Sequence, residues 1–264
     1  MTGSKSYRFS YIFWGLAVCL FCPSLSFSKM NNEYPDIIYL SQDLLYAAKT
    51  GEDTDSMENL LKNIPQGEII NQLNSDDRKL SFYLNLYNAF VQLVLDKKPE
   101  LYNNRNKFYK SKLFAFAGKF WSLDEIEHDL LRKSSVKLSL GYLNKIAVSD
   151  LKIKLRVINI DPRIHFALNC GAKSCPPIAF YEPDKINEQL DIAVKSYLSQ
   201  DTEYDSIKNT VKINRLFSWF RGDFGGKKGI YKFLYKYDLI PQGTKPKLNF
   251  LPYDWTLERK KFIN

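Results

Sequence analysis

The spacing of hydrophobic positions predicts helices in the first third of the chain. Over residues 36–66 and 75–98, apolar side chains recur every three or four positions, as on one face of an α-helix. The second segment is apolar almost all round, which is typical of a helix through the centre of a core. It nevertheless carries Asn85 and Asn88, and buried amides need hydrogen-bond partners. These amides are therefore expected either to cap a neighbouring loop or to line a polar site.

Turn and capping residues mark shorter elements in the middle of the chain. Alternating Phe114 and Phe116 predict a hairpin strand that turns at Gly118. Ser122 followed by Glu125 has the pattern of a capping box, which predicts that the segment SLDEIEHDLLR forms a helix. The polar residues of that helix, including its histidine, are expected on the surface.

The segment IDPRIHFALNCGAKSCPP is rich in residues that begin or end helices and turns. It predicts a short helix over residues 162–170, with Asp161 as N-cap and Gly171 at the left-handed end. His165 lies on the polar side of this helix. Two prolines directly follow Cys175, and their stiff backbone is expected to hold its thiol in a fixed position.

The remaining pattern completes a mixed fold. It predicts a helix over residues 184–198, another over KGIYKFLYKY, and a last strand at residues 248–251. No internal repeat or low-complexity tract divides the sequence. We therefore expect a single compact α+β domain that is helix-dominated and contains a small β-sheet.

Composition excludes several classes of protein. The chain has 264 residues, of which 45% are hydrophobic and 25% charged, so it is neither disordered nor fibrous. Its mean hydropathy of −0.33 excludes a polytopic membrane protein. What remains is a globular domain with enough apolar material for one sizeable core.

The first 28 residues have the order of a signal peptide. Lys5 and Arg8 precede an apolar run over residues 11–22, and Ser28 ends a small-residue pattern of the kind that a signal peptidase reads. We expect cleavage after Ser28, a mature globular domain over residues 29–264, and a periplasmic or extracellular location. A retained membrane anchor is the alternative, but the apolar run is shorter than the roughly 20 residues that a span needs.

Charge narrows the range of partners. The formal net charge is +9, and it stays near +7 once the leader is removed. An exported basic protein meets anionic lipid headgroups, cell-wall polymers or acidic small molecules rather than nucleic acid. We therefore expect a small-molecule or peptide-like anionic ligand, no nucleic acid, and no membrane span after cleavage. The oligomeric state stays open.

Five ordered motifs carry a family resemblance: FYLNLYNAF, SLDEIEHDLLR, INIDPRIHFALNCGAKSCPPIAFYEPDKINEQLD, SWFRGDFGG and YDWTL. Together they cover residues 75–257 and resemble the bacterial exported members of the domain-of-unknown-function 547 family. The resemblance implies a single compact mixed domain, and it implies no particular activity. Carried over residue by residue, it points to Asn85, Asn88, Glu127, Arg132, Arg163, His165, Cys175 and Asp223.

The residue types of a cysteine nucleophile site are all present. Cys175 supplies a thiol, His165 is the candidate base, and Asn88 or Asn85 would orient the imidazole ring. With Cys175 needed free beside His165, we expect that it forms no obligatory disulfide with Cys170. A structural disulfide or a buried, inert thiol is the alternative.

Two classes of function follow. The first is a thiol-dependent hydrolase or transferase that acts on an amide, thioester or peptide-like acyl group. The second is a non-catalytic envelope binding or scaffold module with a polar cleft. In both, the expected ligand-binding residues are Asn85, Glu127, Arg132 and Arg163, the last of which lies beside a helix N-terminus that favours anions. The cysteines and histidines lack a recognised metal-ligand spacing, so neither a metal nor a cofactor is expected.

Overall fold

Helices dominate residues 34–263, the part of the chain that the computed structural model describes. The predicted signal peptide at residues 1–28 lies outside the described residues. No helix within the described part is long and apolar enough to span a membrane. The α-helices are α1 (Ile37–Thr50), α2 (Asp55–Asn63), α3 (Gln66–Gln72), α4 (Asp76–Lys97), α5 (Arg105–Lys110), α6 (Asp150–Leu155), α7 (Ile186–Asp201), α8 (Leu216–Trp219) and α9 (Gly226–Lys236).

Five short strands form two small sheets among the described residues. Strands β1 (Phe114–Phe116) and β2 (Lys119–Trp121) make an antiparallel hairpin. Strands β3 (Glu203–Asp205), β4 (Thr210–Ile213) and β5 (Lys247–Phe250) make a three-stranded sheet, in which β3 and β4 are antiparallel and β4 and β5 parallel. The predicted α+β class, the hairpin and the last strand are confirmed.

Helix α4 is the centre of the first of two hydrophobic clusters. Its side chains are buried around nearly the whole circumference, as its all-apolar sequence predicts, and helix α1 packs along it. The N-cap Ser75 accepts a hydrogen bond from the backbone of Arg78, which fixes where the helix begins. The helical pattern predicted over residues 36–66 is broken into separate helices, because Gly51 ends α1 in a left-handed conformation (φ 83°).

The second cluster joins α7, α8 and α9 to the three-stranded sheet. A 3₁₀-helix, Pro162–Phe166, lies between the two clusters: Ile164 packs into the first and Phe166 into the second. This position holds the intervening residue, His165, at the junction of the two cores.

Two predicted helices differ in detail from the structure. The segment after Ser122 does form the capping box with Glu125, but the helix itself, Glu125–Leu131, is a π-helix. The helix predicted over residues 162–170 ends at Phe166. It ends early because the amide of Asn88 bonds to the carbonyl of Ala167 and to the N–H of Asn169, in place of continued helical bonds.

Candidate active site

A cleft of about 300 Å³ opens where the two clusters meet. Its wall is formed by the π-helix, by the 3₁₀-helix Pro162–Phe166 (called the Pro162–Phe166 turn below), by α8 and by residues near the end of the chain. Most of the lining is aromatic or aliphatic, with a smaller number of polar side chains, which is the usual composition of a small-molecule site. The aromatic lining residues are Tyr87, Tyr109, Trp219, Phe220, Tyr253 and Trp255.

His165 lines the cleft and pairs with Asp223, whose buried side chain is not itself part of the lining. The Nε2 atom of His165 lies 2.8 Å from Oδ2 of Asp223, and both side chains are almost completely buried. Burial raises the pKa of the Asp223 carboxyl, but hydrogen bonds from His165 and Arg132 outweigh burial and lower it to about 2. An ionised Asp223 accepts the Nε2 proton, which leaves the Nδ1 lone pair of His165 as the basic site.

Burial also determines the charge of the His165 ring. It lowers the pKa of His165 below the usual value, although the hydrogen bond to Asp223 acts in the opposite direction. The ring stacks on Phe220, with the centroids 3.8 Å apart and the planes 11° from parallel. A neutral, sterically fixed imidazole with one carboxylate partner is the arrangement of a general base.

Arg132 anchors Asp223 from the other side. Its guanidinium donates to both carboxylate oxygens, at 2.6 and 3.1 Å, and neither side chain is exposed. It also donates to Nδ1 of His128 at 2.8 Å, which sets the tautomer of that ring, and lies 4.6 Å from the centroid of Phe220. Arg132 therefore balances the Asp223 charge and is itself fully enclosed.

Glu127 brings a second titratable group to the cleft. Burial, helped by the charges of Asp124 and Asp223, raises its pKa to about 7 against the opposing effects of Arg132 and Lys137. Nearby, Lys137 donates to both oxygens of Asp124, at 2.7 and 2.8 Å. Glu127 is thus a carboxyl group that exchanges its proton near neutral pH, as a general acid must.

Cys170 and Cys175 form a disulfide, with their Cα atoms 6.1 Å apart. This differs from the expected free thiol at Cys175, because Gly171 (φ 84°) turns the chain so that the two side chains meet. Cys170 lines the cleft with His165, whereas Cys175 is buried and is not part of the wall. The hydroxyl of Tyr253 lies 3.4 Å from the sulfur of Cys170 and 3.2 Å from that of Cys175.

The two amides on α4 hold backbone rather than the imidazole. Asn85 donates to the carbonyl of Tyr181 and accepts from its N–H, both at 2.9 Å. Asn88 binds the chain just after the Pro162–Phe166 turn in the same way. The expected orienting role of Asn88 therefore falls to Asp223, and Asn88 positions His165 only through the backbone that follows it.

Arg163 faces away from the cleft. Its guanidinium pairs with Asp161 at 2.6 Å and with Asp191 at 2.9 Å, and it also donates to Asn187. It lines a separate surface groove together with those three residues. The charge of Arg163 is therefore already paired with carboxylates. The expected anion-binding arginine does not lie at the candidate site.

Sequence reasoning missed several members of the site. His128 was expected on the surface but is buried, since the π-helix turns it inward toward Arg132. The SWFRGDFGG motif contained Asp223, but nothing in the local pattern indicated that it would meet His165 across 58 residues.

Among the described residues, no group of three His, Cys, Asp or Glu side chains could hold a metal ion.

Comparison with known proteins supports the family resemblance. The family described as "Protein of unknown function, DUF547" matches residues 70–198 of the chain. This range contains α4, the π-helix, His165 and both cysteines, while Asp223 and the aromatic residues near the C-terminus lie beyond it. No curated protein and no solved structure gave a significant match. The match, over residues 70–198, is to a family of unknown function, so the activity has to be argued from the site.

Proposed function

We propose that the cleft is the active site of a hydrolase or transferase that acts on an amide, thioester or peptide-like acyl group. The observation that carries this proposal is the buried pair of His165 and Asp223. It provides a neutral imidazole whose Nδ1 atom accepts a proton from the nucleophile, while the carboxylate stabilises the imidazolium that forms. Glu127, with its pKa near 7, then protonates the leaving group.

The nucleophile we propose is a thiol of the Cys170–Cys175 pair after reduction by a dithiol. Cys170 is favoured over Cys175 because its side chain already lines the cleft that contains His165. Burial raises the pKa of Tyr253 far above its ordinary value, so its hydroxyl stays protonated beside both sulfurs. It is a suitable donor to the oxyanion of a tetrahedral intermediate.

The test is an acyl-transfer assay on a panel of aryl esters, thioesters and amides, with and without a dithiol reductant. We expect activity only after reduction, and a loss of about 100-fold or more in kcat/KM for His165→Gln and for Cys170→Ala. Asp223→Asn should also lower kcat/KM, because it removes the carboxylate that orients His165, and Asp254→Asn, which changes an exposed carboxylate outside the cleft, is its matched control. Equal activity of wild type and His165→Gln on every active substrate would contradict the proposal.

The pH profile supplies an independent criterion. Activity should rise as His165 loses its proton, below pH 6.5, and fall as Glu127 loses its proton near pH 7. Glu127→Gln should lower kcat and remove the alkaline limb of the profile. A profile that rises steadily to pH 9 in the wild type would exclude Glu127 as the acid.

A non-catalytic binding module is the second candidate, and the disulfide favours it because an oxidised pair offers no nucleophile. In that case the aromatic wall would hold an apolar or peptide-like ligand beside the buried polar side chains of His128 and His165. Alkylation of reduced protein separates the two functions. A thiol that reacts below its ordinary pH range only when His165 is present supports chemistry, whereas identical profiles for wild type and His165→Ala support binding alone.

Export belongs to the same proposal, since the basic, apolar and small-residue order of residues 1–28 is that of a signal peptide. In an oxidising compartment the Cys170–Cys175 disulfide persists until a dithiol reduces it, so the proposed activity requires such a reductant there. Mass spectrometry of the protein isolated from cells should find an N-terminus near Lys29. An intact Met1 on a cytoplasmic protein would exclude export.

A further inference from the structure

A loop at the mouth of the cleft exposes an unusual concentration of large apolar side chains. This is the 133–149 loop, which joins the π-helix to α6. Leu138 is 89% exposed and Ile146 is fully exposed, and Tyr142 and Leu143 are each more than half exposed. Leu138 also lines the cleft, so the apolar surface of the loop is continuous with the apolar wall of the site.

The exposure is a property of an ordered loop. Its two arms are joined by backbone bonds, from Val136 N–H to the carbonyl of Leu143 and from Lys145 N–H to the carbonyl of Ser134, both 2.8 Å. Its tip is tied to the body where Gly222 N–H donates to the carbonyl of Leu140 at 2.7 Å. The apolar side chains are therefore held outward while the backbone is fixed, which points to a surface that receives a partner.

The charge around the loop is positive. Residues 133–149 contain three lysines and no acidic residue. Lys227 and Lys228, exposed in the first turn of α9, add two cations that form no ion pair within the described residues. Gly226, which opens that turn, lies against the Tyr142 hydroxyl.

Two acidic groups beside the loop are hidden, whereas Asp150, which directly follows the loop, is exposed. The side chains of Asp129 and Asp223 have no exposed surface, and each is paired, with Lys145 and Arg132 respectively. Lys137 forms an ion pair with Asp124, and Lys145 forms one with Asp129. The side chains of both lysines nevertheless remain more than 40% exposed. A molecule that approaches the loop therefore meets apolar side chains with four partly or fully exposed lysines around them, Lys137, Lys145, Lys227 and Lys228, and one exposed carboxylate, Asp150.

We propose that the 133–149 loop docks the protein on an anionic lipid bilayer. Apolar side chains on a fixed loop can enter the headgroup region, where the lysines of the loop and of α9 attract phosphate groups. A protein partner would instead need a groove that fits these separate side chains. The proposal concerns attachment and does not depend on the acyl chemistry above, because vesicle binding is measured without turnover.

The first measurement is cosedimentation of the full chain with vesicles of phosphatidylcholine alone and of phosphatidylcholine with phosphatidylglycerol. We expect binding that needs the anionic lipid and weakens with salt. Leu138→Ser with Ile146→Ser should weaken it about tenfold or more, and Lys227→Gln with Lys228→Gln about fivefold or more. Ile207→Ser and Lys208→Gln, in the exposed β3–β4 turn, are the matched controls and should bind as the wild type does.

The second measurement locates the contact on the chain. Ile146→Cys and Ile207→Cys are treated with an aqueous maleimide, and peptide mass spectrometry reads each position separately. Anionic vesicles should protect position 146 at least about fivefold and leave position 207 unchanged. This readout is independent of any binding through the apolar residues at 11–22.

Three results would overturn the proposal. The first is equal labelling of position 146 with and without vesicles. The second is equal vesicle binding by the loop variants and the wild type. The third is a loss of vesicle binding in the control variants as large as that in the loop variants. If the loop variants instead convert a dimer to a monomer while position 146 stays reactive on vesicles, the loop joins two copies of the chain. Activity measurements play no part in any of these outcomes.

Discussion

Asp223 is the residue on which the polar site depends. It is fully buried, yet it stays ionised because both His165 and Arg132 donate to it. The negative charge fixes which nitrogen of His165 carries the proton, and the cation opposite keeps the carboxylate from taking that proton. One carboxylate therefore sets the chemistry of the imidazole and neutralises a buried arginine.

Asp223→Asn should destabilise the protein by about 3–5 kcal/mol at pH 7, because Arg132 would keep a buried charge without a partner. The folded-state pKa of Asp223 lies below its unfolded value, so its stabilisation is present above pH 4 and is lost as the pH falls toward 2. Urea unfolding at pH 7 and pH 3 measures both effects, and the variant should differ less from wild type at pH 3. An equal deficit at both pH values would show that packing, not charge, causes the loss.

Glu127 should produce the opposite pH dependence. Its folded-state pKa of about 7 lies above the ordinary value of 4.5, so its effect favours the fold below pH 4.5 and is lost as the pH rises through 7. Glu127→Gln, which resembles the protonated form, should match wild type near pH 4 and be more stable at pH 8, by up to about 3 kcal/mol. Glu100→Gln, at an exposed position, should show no such divergence.

At the scale of elements, local signals predicted the fold better than the site. Helix α4 was predicted because its apolar pattern is long, and the hairpin because its turn sits between alternating phenylalanines. The π-helix was missed because a capping box specifies where a helix begins and not its hydrogen-bond period. The early end of the Pro162–Phe166 turn was missed because it is imposed by Asn88, which is distant in sequence.

The 133–149 loop and the site meet at Gly141. This glycine has φ 87°, and a Cβ atom there would lie 2.2 Å from Oδ1 of Asp223. Gly141→Ala should therefore displace the carboxylate that holds His165, and lower both stability and acyl-transfer activity. Gly243→Ala is the matched control, because its φ is 78° but nothing lies within 4 Å of the added atom.

The control should lose about 1–2 kcal/mol for the left-handed backbone alone, and Gly141→Ala should lose at least about 1 kcal/mol more from the close contact. Chemical unfolding measures the difference between the two variants. If the two variants lose the same free energy of unfolding, the loop tip moves away from the added methyl group without strain. In that case Gly141 does not hold Asp223 in place.

On the scale of the whole molecule, the cleft exists because two hydrophobic clusters share one short turn. Ile164 belongs to the cluster around α4, Phe166 to the cluster around the three-stranded sheet, and His165 stands between them. The residues from Tyr34 onward cluster into one compact unit. The sequence predicted a single domain but could not predict its two hydrophobic clusters. Helices α4 and α9 contact the Pro162–Phe166 turn and the residue that follows it through residues that are distant along the chain, such as Asn88 and Phe233.

We therefore expect the two clusters to unfold together. Phe217→Ala removes a fully buried ring from the second cluster and should cost about 3–5 kcal/mol. If the shared turn makes the clusters one cooperative unit, the most protected amides of α4 and of α9 should lose protection from hydrogen exchange by the same factor, read by peptide mass spectrometry. Ile207→Ala, at an exposed position, should change neither. Loss of protection confined to α9 would mean that the second cluster opens by itself and that His165 is exposed without unfolding of the first.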